Sequence, residues 1–377
     1  MKLSRSRNGP PSVSATLIVR DESEFIEACL ASLSGVVDEI IIVDTGSRDD
    51  TIDKARRYPV SVHSFPWRDD FSAARNFAIG QASGDWILYI DADERLELPD
   101  SESLRLALQN ESKVAWRVRF FPRVGWTAYA ELRLFRNDSR IRFRGVIHEG
   151  IHAAIGEVSR SDGRDVGLSD ITLRHVGYEG SQLHKVSRNV SLLRKYLRDN
   201  PDRSYCWWHL GEMLSMTGDE DAAIAAWRRG AEAARNEYRV DAGQTCSLPF
   251  VSLLQSLHGR GEPVADLLRE ALELFPDNLV LQWNLAKLSL ERFDDEKALP
   301  ILKRIAALDP HKFFDPMNSY DTALFAYLAP EALALCHFRA GRFRQAAHWY
   351  RRAAQASPER EACETKARLA EARLAQA

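Results

Sequence analysis

A change of hydrophobic periodicity constrains the fold of this 377-residue chain more than any other feature. From Val13 to about Tyr89, short apolar runs alternate with amphipathic stretches, the pattern of βαβ units that build a parallel sheet. From about Gly180 onward, the apolar residues recur at helical spacing. The chain is also too long for one ordinary hydrophobic core. We therefore expect an α/β domain followed by an all-α domain.

The first region predicts four strands joined by three crossover helices, which is a nucleotide-binding half of a doubly wound sheet. The strands are expected at residues 14–19, 39–43, 60–65 and 85–90. The helices are expected at residues 23–33, 51–58 and 71–81, with Asp49 or Asp50 as the N-cap of the second. Residues 112–178 contain β-like segments, so we expect a mixed or antiparallel extension of the sheet. These segments are KVAWRVRFF, AELRLF and RIRFRGVIHEGI.

The second region carries an internal repeat. Pro276 and Pro310 lie 34 residues apart, which is the period of the tetratricopeptide repeat. In the same register stand a W-x2-L-G segment, small residues in the second helices and a glycine between helices: Trp207, Leu210, Gly211, Ala298, Ala346 and Gly341. Predicted repeats cover residues 204–236, 245–276, 279–310 and 327–358, and residues 311–324 form an insertion. We expect the tryptophans of these repeats to belong to the core.

These patterns predict a disordered segment at residues 1–12, an α/β domain at 13–178, a linker helix at 179–200 and a tetratricopeptide-repeat solenoid at 201–377. The 51 basic and 54 acidic residues are interspersed, so no surface of one sign indicates a nucleic-acid partner. Five cysteines without a CxxC pair suit a reducing compartment. No apolar run is long enough to span a bilayer, and the first residues lack a signal peptide. We expect a cytoplasmic protein without a transmembrane segment.

Acidic and small polar residues follow three of the predicted strands. The strand ends are Arg20–Glu22, Asp44–Ser47 and Asp91–Glu94. Ligands of open α/β sheets bind outside the carboxyl ends of the strands, so these residues should meet at one edge. A diphosphate would be repelled there unless a divalent cation lay between, and carboxylates suit Mg²⁺ or Mn²⁺. Because residues two apart at a strand end project to one side, we predict that one of Asp91 and Asp93 binds the metal while the other holds it through a water or reaches the ribose.

The strand ends also carry a family resemblance. The segments VDTGSRDDT (43–51), DFSAARN (70–76) and GDWILYIDADE (84–94) resemble, in order, motifs of the inverting family 2 glycosyltransferases with the GT-A fold. The resemblance implies a hexosyltransferase whose nucleotide, typically uridine, is bound at Asp44 and supported by Arg75 and Asn76. It also assigns Asp91 and Asp93 to the metal and the diphosphate. We add Val19, the last residue of the first strand, to the nucleotide site.

Two further segments are similar to a subset of that family. RLFRN (133–137) and FRGVIHEG (143–150) resemble transferases of the lipopolysaccharide core and of peptides, some of which carry tetratricopeptide repeats. ITLRHVGY (171–178) resembles the place where GT-A enzymes offer a histidine to the metal, which makes His175 a third ligand. The resemblance thus implies Mg²⁺ or Mn²⁺ as cofactor and a UDP-sugar as donor.

An inverting transfer needs a base within hydrogen-bond reach of the acceptor. We predict Glu149, because an isolated carboxylate beside an apolar strand would have a raised pKa. His148, Asp93 and Glu94 are alternatives. Residues 148–152 also match HExxH, but a zinc protease needs this motif on a helix, whereas this segment alternates like a strand.

The sequence therefore predicts a metal-dependent inverting glycosyltransferase. We expect the repeats to dock a peptide or protein acceptor or a protein partner, or to mediate self-association. A glycan acceptor, as in lipopolysaccharide core synthesis, is the alternative within the family. A non-catalytic repeat scaffold with a degenerate transferase domain is an alternative from another class. The site residues also have structural interpretations: solvated strand-end acids for Asp91 and Asp93, a turn cap for Asp44, a surface helix residue for Arg75, and structural histidines for His148 and His175. A nucleotidyltransferase would need a glycine-rich phosphate loop, which we do not find.

Overall fold

The computed structural model describes residues 10–177, 183–240 and 246–376, and these form two compact units. The first unit includes residues up to 124, 128–192 and 315–317. The second includes residues 125–127, 193–314 and 318–377. The boundary between the two units lies between residues 192 and 193, inside the predicted linker helix. Residues 1–9 of the predicted disordered segment and 179–182 of the linker lie outside the described residues.

The first part of the α/β unit follows the predicted βαβ pattern. Its elements are β1 (Val13–Val19), α1 (Ile26–Leu33), β2 (Glu39–Asp44), α2 (Thr51–Ala55), β3 (Ser61–Ser64), α3 (Phe71–Gln81) and β4 (Trp86–Tyr89). The four strands pair in parallel in the order β3-β2-β1-β4. Residues 40–43 are buried because apolar clusters cover both faces of the sheet, as the EIIIV run predicts.

The rest of the unit extends the sheet with both strand directions, which confirms the predicted mixed extension. Its elements are β5 (Glu94–Glu97), α4 (Ser101–Gln109), β6 (Lys113–Phe121), β7 (Tyr129–Arg136), α5 (His152–Asp162) and β8 (Asp165–His175). Strand β7 runs antiparallel to β4 and β6, and β8 pairs in parallel with β6 and antiparallel with β5. The described residues form one eight-stranded sheet of order β3-β2-β1-β4-β7-β6-β8-β5.

The prediction that RIRFRGVIHEGI forms a strand is wrong. Residues 142–151 fold into an irregular loop that closes where Arg144 and Gly150 exchange backbone hydrogen bonds of 3.0 and 2.9 Å. Gly145 and His148 have φ values of +105° and +49°, which an extended strand cannot contain. Helix α5 begins only at His152, so the HExxH segment does not lie on one helix.

The second unit consists of paired helices, which confirms the tetratricopeptide-repeat prediction. After α6 (Leu183–Asp199), the helices are α7 (Ser204–Met216), α8 (Glu220–Val240), α9 (Leu248–Gly259), α10 (Ala265–Leu274), α11 (Leu279–Glu291), α12 (Asp295–Ala306), α13 (Ala329–Arg339), α14 (Phe343–Ala354) and α15 (Arg360–Gln376). Ala298 and Ala346 are fully buried at helix contacts, and Gly341 has a φ of +69° in its turn. Among the described helices, none combines the length and the apolar character needed to cross a bilayer.

Candidate active site

The acidic strand ends lie on one edge of the sheet. Strand β1 separates β2 from β4, and its last residue, Val19, pairs with Asp44. On the other side, Tyr89 of β4 pairs with Thr16 of β1. Asp91 follows Tyr89 by two residues, so it also lies near the end of β1. Asp44 and Asp91 therefore flank the same strand end, about 10 Å apart at the usual strand spacing. A ligand the size of a nucleotide reaches both.

Backbone and side-chain hydrogen bonds fix the loops that follow β1 and β2. Oδ1 of Asp44 accepts from the backbone N–H groups of Gly46 and Ser47 at 3.2 and 2.9 Å. Asp21, at a φ of +55°, accepts from the Arg48 N–H at 2.7 Å. Asp44 thus caps its own turn, and this bond also sets the direction of its carboxylate at the edge.

Two predicted nucleotide-binding residues form hydrogen bonds within the protein that hold the sheet edge in shape. The carbonyl of Val19 accepts from both the N–H and the hydroxyl of Thr45, each at 3.0 Å. The side-chain amide of Asn76 bonds the backbone of Phe143 in both directions, at 3.0 and 2.8 Å. Both residues hold the edge in shape, and their contact with a nucleotide stays a prediction.

Asp91 is held by two arginines. Nη2 of Arg75, on α3, lies 2.9 and 3.3 Å from its carboxylate oxygens, and Nη1 of Arg133, on β7, lies 3.8 Å away. Burial raises the pKa of Asp91, but the two arginines hold it below its ordinary value. The carboxylate is therefore ionised and its charge is already balanced by guanidinium groups.

Arg75 also joins Asp91 to Glu149. Its Nε donates to Oε1 of Glu149 at 2.5 Å, and both side chains are 11% exposed. Burial lowers the pKa of Arg75, but Asp91 and Glu149 raise it overall, so the guanidinium stays charged. The expectation that Glu149 is an isolated carboxylate is wrong. His148, beside it, is half-buried in the left-handed backbone region.

A second ion pair lies deeper. Arg133 donates to both carboxylate oxygens of Glu94, at 2.7 and 3.1 Å, and the two residues are 8% and 1% exposed. The Arg133 guanidinium also lies over the rings of Tyr89 and Phe120, at 4.5 and 4.9 Å from their centroids. Burial raises the pKa of Glu94, and Arg133 opposes this rise. Glu94 also accepts from the Asp91 N–H at 2.9 Å, so it holds the Asp91 loop rather than facing an acceptor.

Asp93 faces a different partner from Asp91. A tight turn follows β4, in which the Glu94 N–H donates to the Asp91 carbonyl at 3.0 Å. As a result, the two aspartates do not project together as strand-end residues would. Oδ2 of Asp93 lies 3.2 Å from Nε2 of His175, and the side chains are 21% and 16% exposed. The predicted trio therefore separates into an Asp93–His175 pair and an Asp91 held by arginines.

The Asp93–His175 pair fits a divalent cation better than Asp91 does. A carboxylate and an imidazole are both suitable ligands for Mn²⁺, and these two side chains already lie 3.2 Å apart. The backbone of Gly177 passes so close that a Cβ there would collide with the Asp93 carboxylate, so the turn is shaped around this side chain. The described residues contain no group of three or more metal-ligating side chains. Mg²⁺ and Mn²⁺ sites of this kind complete their shell with substrate phosphates and water.

Sequence reasoning missed the roles of Arg133 and Gly177. One signal for Arg133 was present, since it interrupts the apolar run of β7, and a buried charge requires a partner. Gly177 stands in the ITLRHVGY segment, where only its neighbour His175 drew attention.

Comparison with protein families adds an independent result. The family model described as glycosyl transferase family 2 matches residues 14–158. These residues include β1 to β4, the edge loops and the loop that carries Glu149. The match thus covers the strand ends described above.

Individual relatives are similar over longer stretches. A TPR repeat-containing protein of Synechococcus elongatus is 36% identical over 69% of this chain and 66% of its own length. The prophage-derived glycosyltransferase SunS of Bacillus subtilis is 27% identical over 58% of this chain and 53% of its own. The lipopolysaccharide core biosynthesis glycosyltransferase LpsC of Rhizobium meliloti is 33% identical over 37% of this chain and 56% of its own length. The chain spans between about half and two thirds of the length of these curated relatives.

Proposed function

We propose a metal-dependent, inverting sugar transfer for this enzyme, because residues 14–158 match the glycosyl transferase family 2 model and paired helices follow them. The donor is a nucleoside-diphosphate sugar, in the first place a UDP-sugar. One observation carries the proposal: a single sheet edge gathers Asp44, Asp91 and Asp93, with a buried arginine behind them.

The donor nucleotide binds at the end of β1. Asp44 accepts from the nucleobase with the oxygen that its own turn leaves available, and Arg75 keeps Asp91 charged and in place. Val19 and Asn76 fix the surrounding backbone. This arrangement costs little reorganisation when the donor arrives, because its hydrogen bonds exist beforehand.

Asp93 and His175 would hold Mg²⁺ or Mn²⁺ against the donor diphosphate, and Asp91 lies beside them as a carboxylate neutralised by arginines. A metal bound there would neutralise the charge that develops on the departing nucleoside diphosphate. The sequence predicted Asp91 as a direct metal ligand, and we now propose a positioning role for it. Asp91 instead positions Arg75 and the turn that presents Asp93.

Glu149 is the base of the proposed reaction, with His148 and Asp93 as alternatives. An in-line displacement requires proton removal from the acceptor on the sugar face opposite the leaving phosphate. A Glu149→Gln variant separates the two roles of this side chain, because glutamine can still accept from Arg75 but cannot take a proton. We expect kcat to fall by roughly 10²- to 10⁴-fold with little change in UDP affinity. An unchanged kcat would transfer the role to His148.

The acceptor we propose is a peptide or protein side chain docked on the repeats, because stacked helix pairs generally present extended binding surfaces. The same surface could hold a partner protein or a second copy of the chain. The similarity to LpsC, which is named for lipopolysaccharide core biosynthesis, favours a glycan as the second candidate. Incubation with labelled donor separates the two, since protease digestion cuts a labelled peptide or protein product into small labelled fragments and leaves a labelled glycan product unchanged.

A donor panel tests the proposal. Purified protein is mixed with UDP-, GDP- and ADP-sugars in Mg²⁺ or Mn²⁺, and release of the nucleoside diphosphate is followed by chromatography. We expect release from at least one UDP-sugar and its loss in EDTA. Nucleotide binding without any turnover would instead favour a repeat scaffold with a degenerate transferase domain.

A further inference from the structure

Two arginines and two aromatic rings lie at the same sheet edge without a role in the reaction described above. Arg20 follows β1 directly, Trp67 lies in the connection between β3 and α3, and Phe71 is the first residue of α3. The guanidinium carbon of Arg188, on α6, lies 5.7 Å from the Trp67 ring centroid and 5.6 Å from that of Phe71. The two rings are 4.7 Å apart in an edge-to-face arrangement. The rings therefore form a platform for the Arg188 side chain.

The charges of these arginines are only partly balanced nearby, by Asp69, which accepts from the Trp67 indole at 2.7 Å and raises the pKa of Arg188. Within the described part of the chain, no carboxylate lies within ion-pairing distance of Arg20 or Arg188, in contrast to Arg75 and Arg133. Arg188 donates to the Asn189 side-chain oxygen at 3.0 Å. Burial lowers its pKa, the charge of Arg20 lowers it further, and Asp69 opposes this. Two like charges held near each other raise the free energy of the protein until an anion joins them.

The position of the pair points to the donor. Phe71 and Arg75 are four residues apart on α3, so they share one face of the helix and are separated by about 6 Å along its axis. Arg75 contacts Asp91 on that face. Arg20 continues β1, the strand that lies between β2, which ends in Asp44, and β4, which leads to Asp91. Arg20 thus begins the loop that lies between the two aspartates, and Arg188 lies beside Phe71, one helical turn before Arg75.

We infer that Arg20 and Arg188 bind a phosphate group of the donor nucleotide, and that Trp67 and Phe71 hold Arg188 in the orientation this requires. The inference rests on the proposed function, since it assigns further binding residues to the same donor. Guanidinium groups recognise phosphate oxygens through paired, charge-assisted hydrogen bonds. An anionic group of the acceptor has the same chemistry, and the experiment separates the two sources.

Calorimetric titration of the full-length protein with UDP, UMP and uridine, in Mn²⁺, tests this. We expect Arg188→Gln and Arg20→Gln to weaken UDP binding by roughly 10- to 100-fold and to leave uridine binding unchanged. Arg188→Lys should give an intermediate loss, because lysine keeps the charge but cannot stack or bind in a bidentate manner. The matched control is Arg194→Gln, an exposed arginine on the same helix, which should bind UDP as the wild type does.

The outcomes are distinct. If the wild type binds UDP and the folded Arg188→Gln variant binds it equally well, the inference is wrong and the proposed function stands. An equal loss for UDP and uridine also overturns it, because the effect is then not on phosphate. Unchanged UDP affinity with a raised KM for the acceptor assigns the arginines to the acceptor. A wild type that binds no UDP contradicts the proposed donor itself.

Discussion

The sheet edge and the repeats bury different kinds of residue. At the edge, Arg133 and Glu94 are buried as an ion pair, and the repeats bury small and apolar side chains such as Ala298 and Ala346. Burying an ion pair is no more stabilising than apolar packing and is often less so. A chain that packs its repeats with alanine and leucine could have packed this edge in the same way. We infer from this contrast that the buried charges serve to position other residues of the site, whereas the buried repeat residues serve close packing between helices.

The largest stability effect is expected where a buried charge loses its partner. Arg133→Met removes the two hydrogen bonds that Glu94 accepts from Arg133 and leaves its buried charge unpaired, so the α/β unit should lose about 3–5 kcal/mol. The double variant Arg133→Met, Glu94→Leu should recover much of this loss, because no unpaired charge remains. Urea unfolding measures both. Arg144→Met, which breaks an exposed pair with Glu157, is the control and should change little. If Arg133→Met were as stable as the wild type, the buried ion pair would matter no more for stability than the exposed one, and the proposed contrast would be wrong.

A smaller effect is expected from fit in the repeats. A Cβ at Gly211 would collide with the Trp227 indole, so Gly211→Ala should cost about 1–3 kcal/mol. At Gly259, no atom lies within 4 Å of an added Cβ, so Gly259→Ala should be neutral or stabilising. Thermal unfolding of the two variants compares them directly. A Gly211→Ala variant as stable as Gly259→Ala would argue against close packing of α7 on α8.

The smallest effect is a pH dependence of the metal-free protein. Burial lowers the pKa of His175, but its bond to Asp93 and the charge of Asp93 raise it overall. The imidazolium–carboxylate pair therefore stabilises the fold fully below the ordinary histidine pKa of about 6.5, and this contribution is lost as pH rises through the folded pKa. In EDTA, the Tm advantage of wild type over His175→Gln should shrink by about 2 °C between about pH 6 and 8. An advantage that grows with pH would mean that His175 is held in its neutral form.

Sequence patterns correctly predicted the helices and strands whose positions depend on residues close to them in the sequence. Helix α3 begins and ends at the predicted residues, because Asp70 caps its first turn by accepting from the Ala73 N–H at 2.9 Å. The 34-residue period located the repeats for a similar reason, since each helix pair packs mainly on its sequence neighbours. The strand ends with Asp44 and Asp91 also followed from the pattern alone.

The partners of the site residues could not be predicted in this way. Arg75 reaches Asp91 across 16 residues and Glu149 across 74, and no spacing rule connects such positions. The alternation in residues 140–151 was misleading because it is a local signal. Gly145 and the positive φ of His148 overrule it once the loop is fixed to α3 by Asn76.

Manganese binding tests most directly whether this edge is a metal-dependent donor site. With UDP present, the protein should bind about one Mn²⁺ per chain, measured by electron paramagnetic resonance. Asp93→Asn and His175→Asn should each weaken this binding by at least about 10-fold and abolish release of UDP from the sugar donor. Asp53→Asn, an exposed acid on α2, should do neither. Full transfer activity in EDTA, or in Asp93→Asn, would contradict a metal-dependent mechanism at this site.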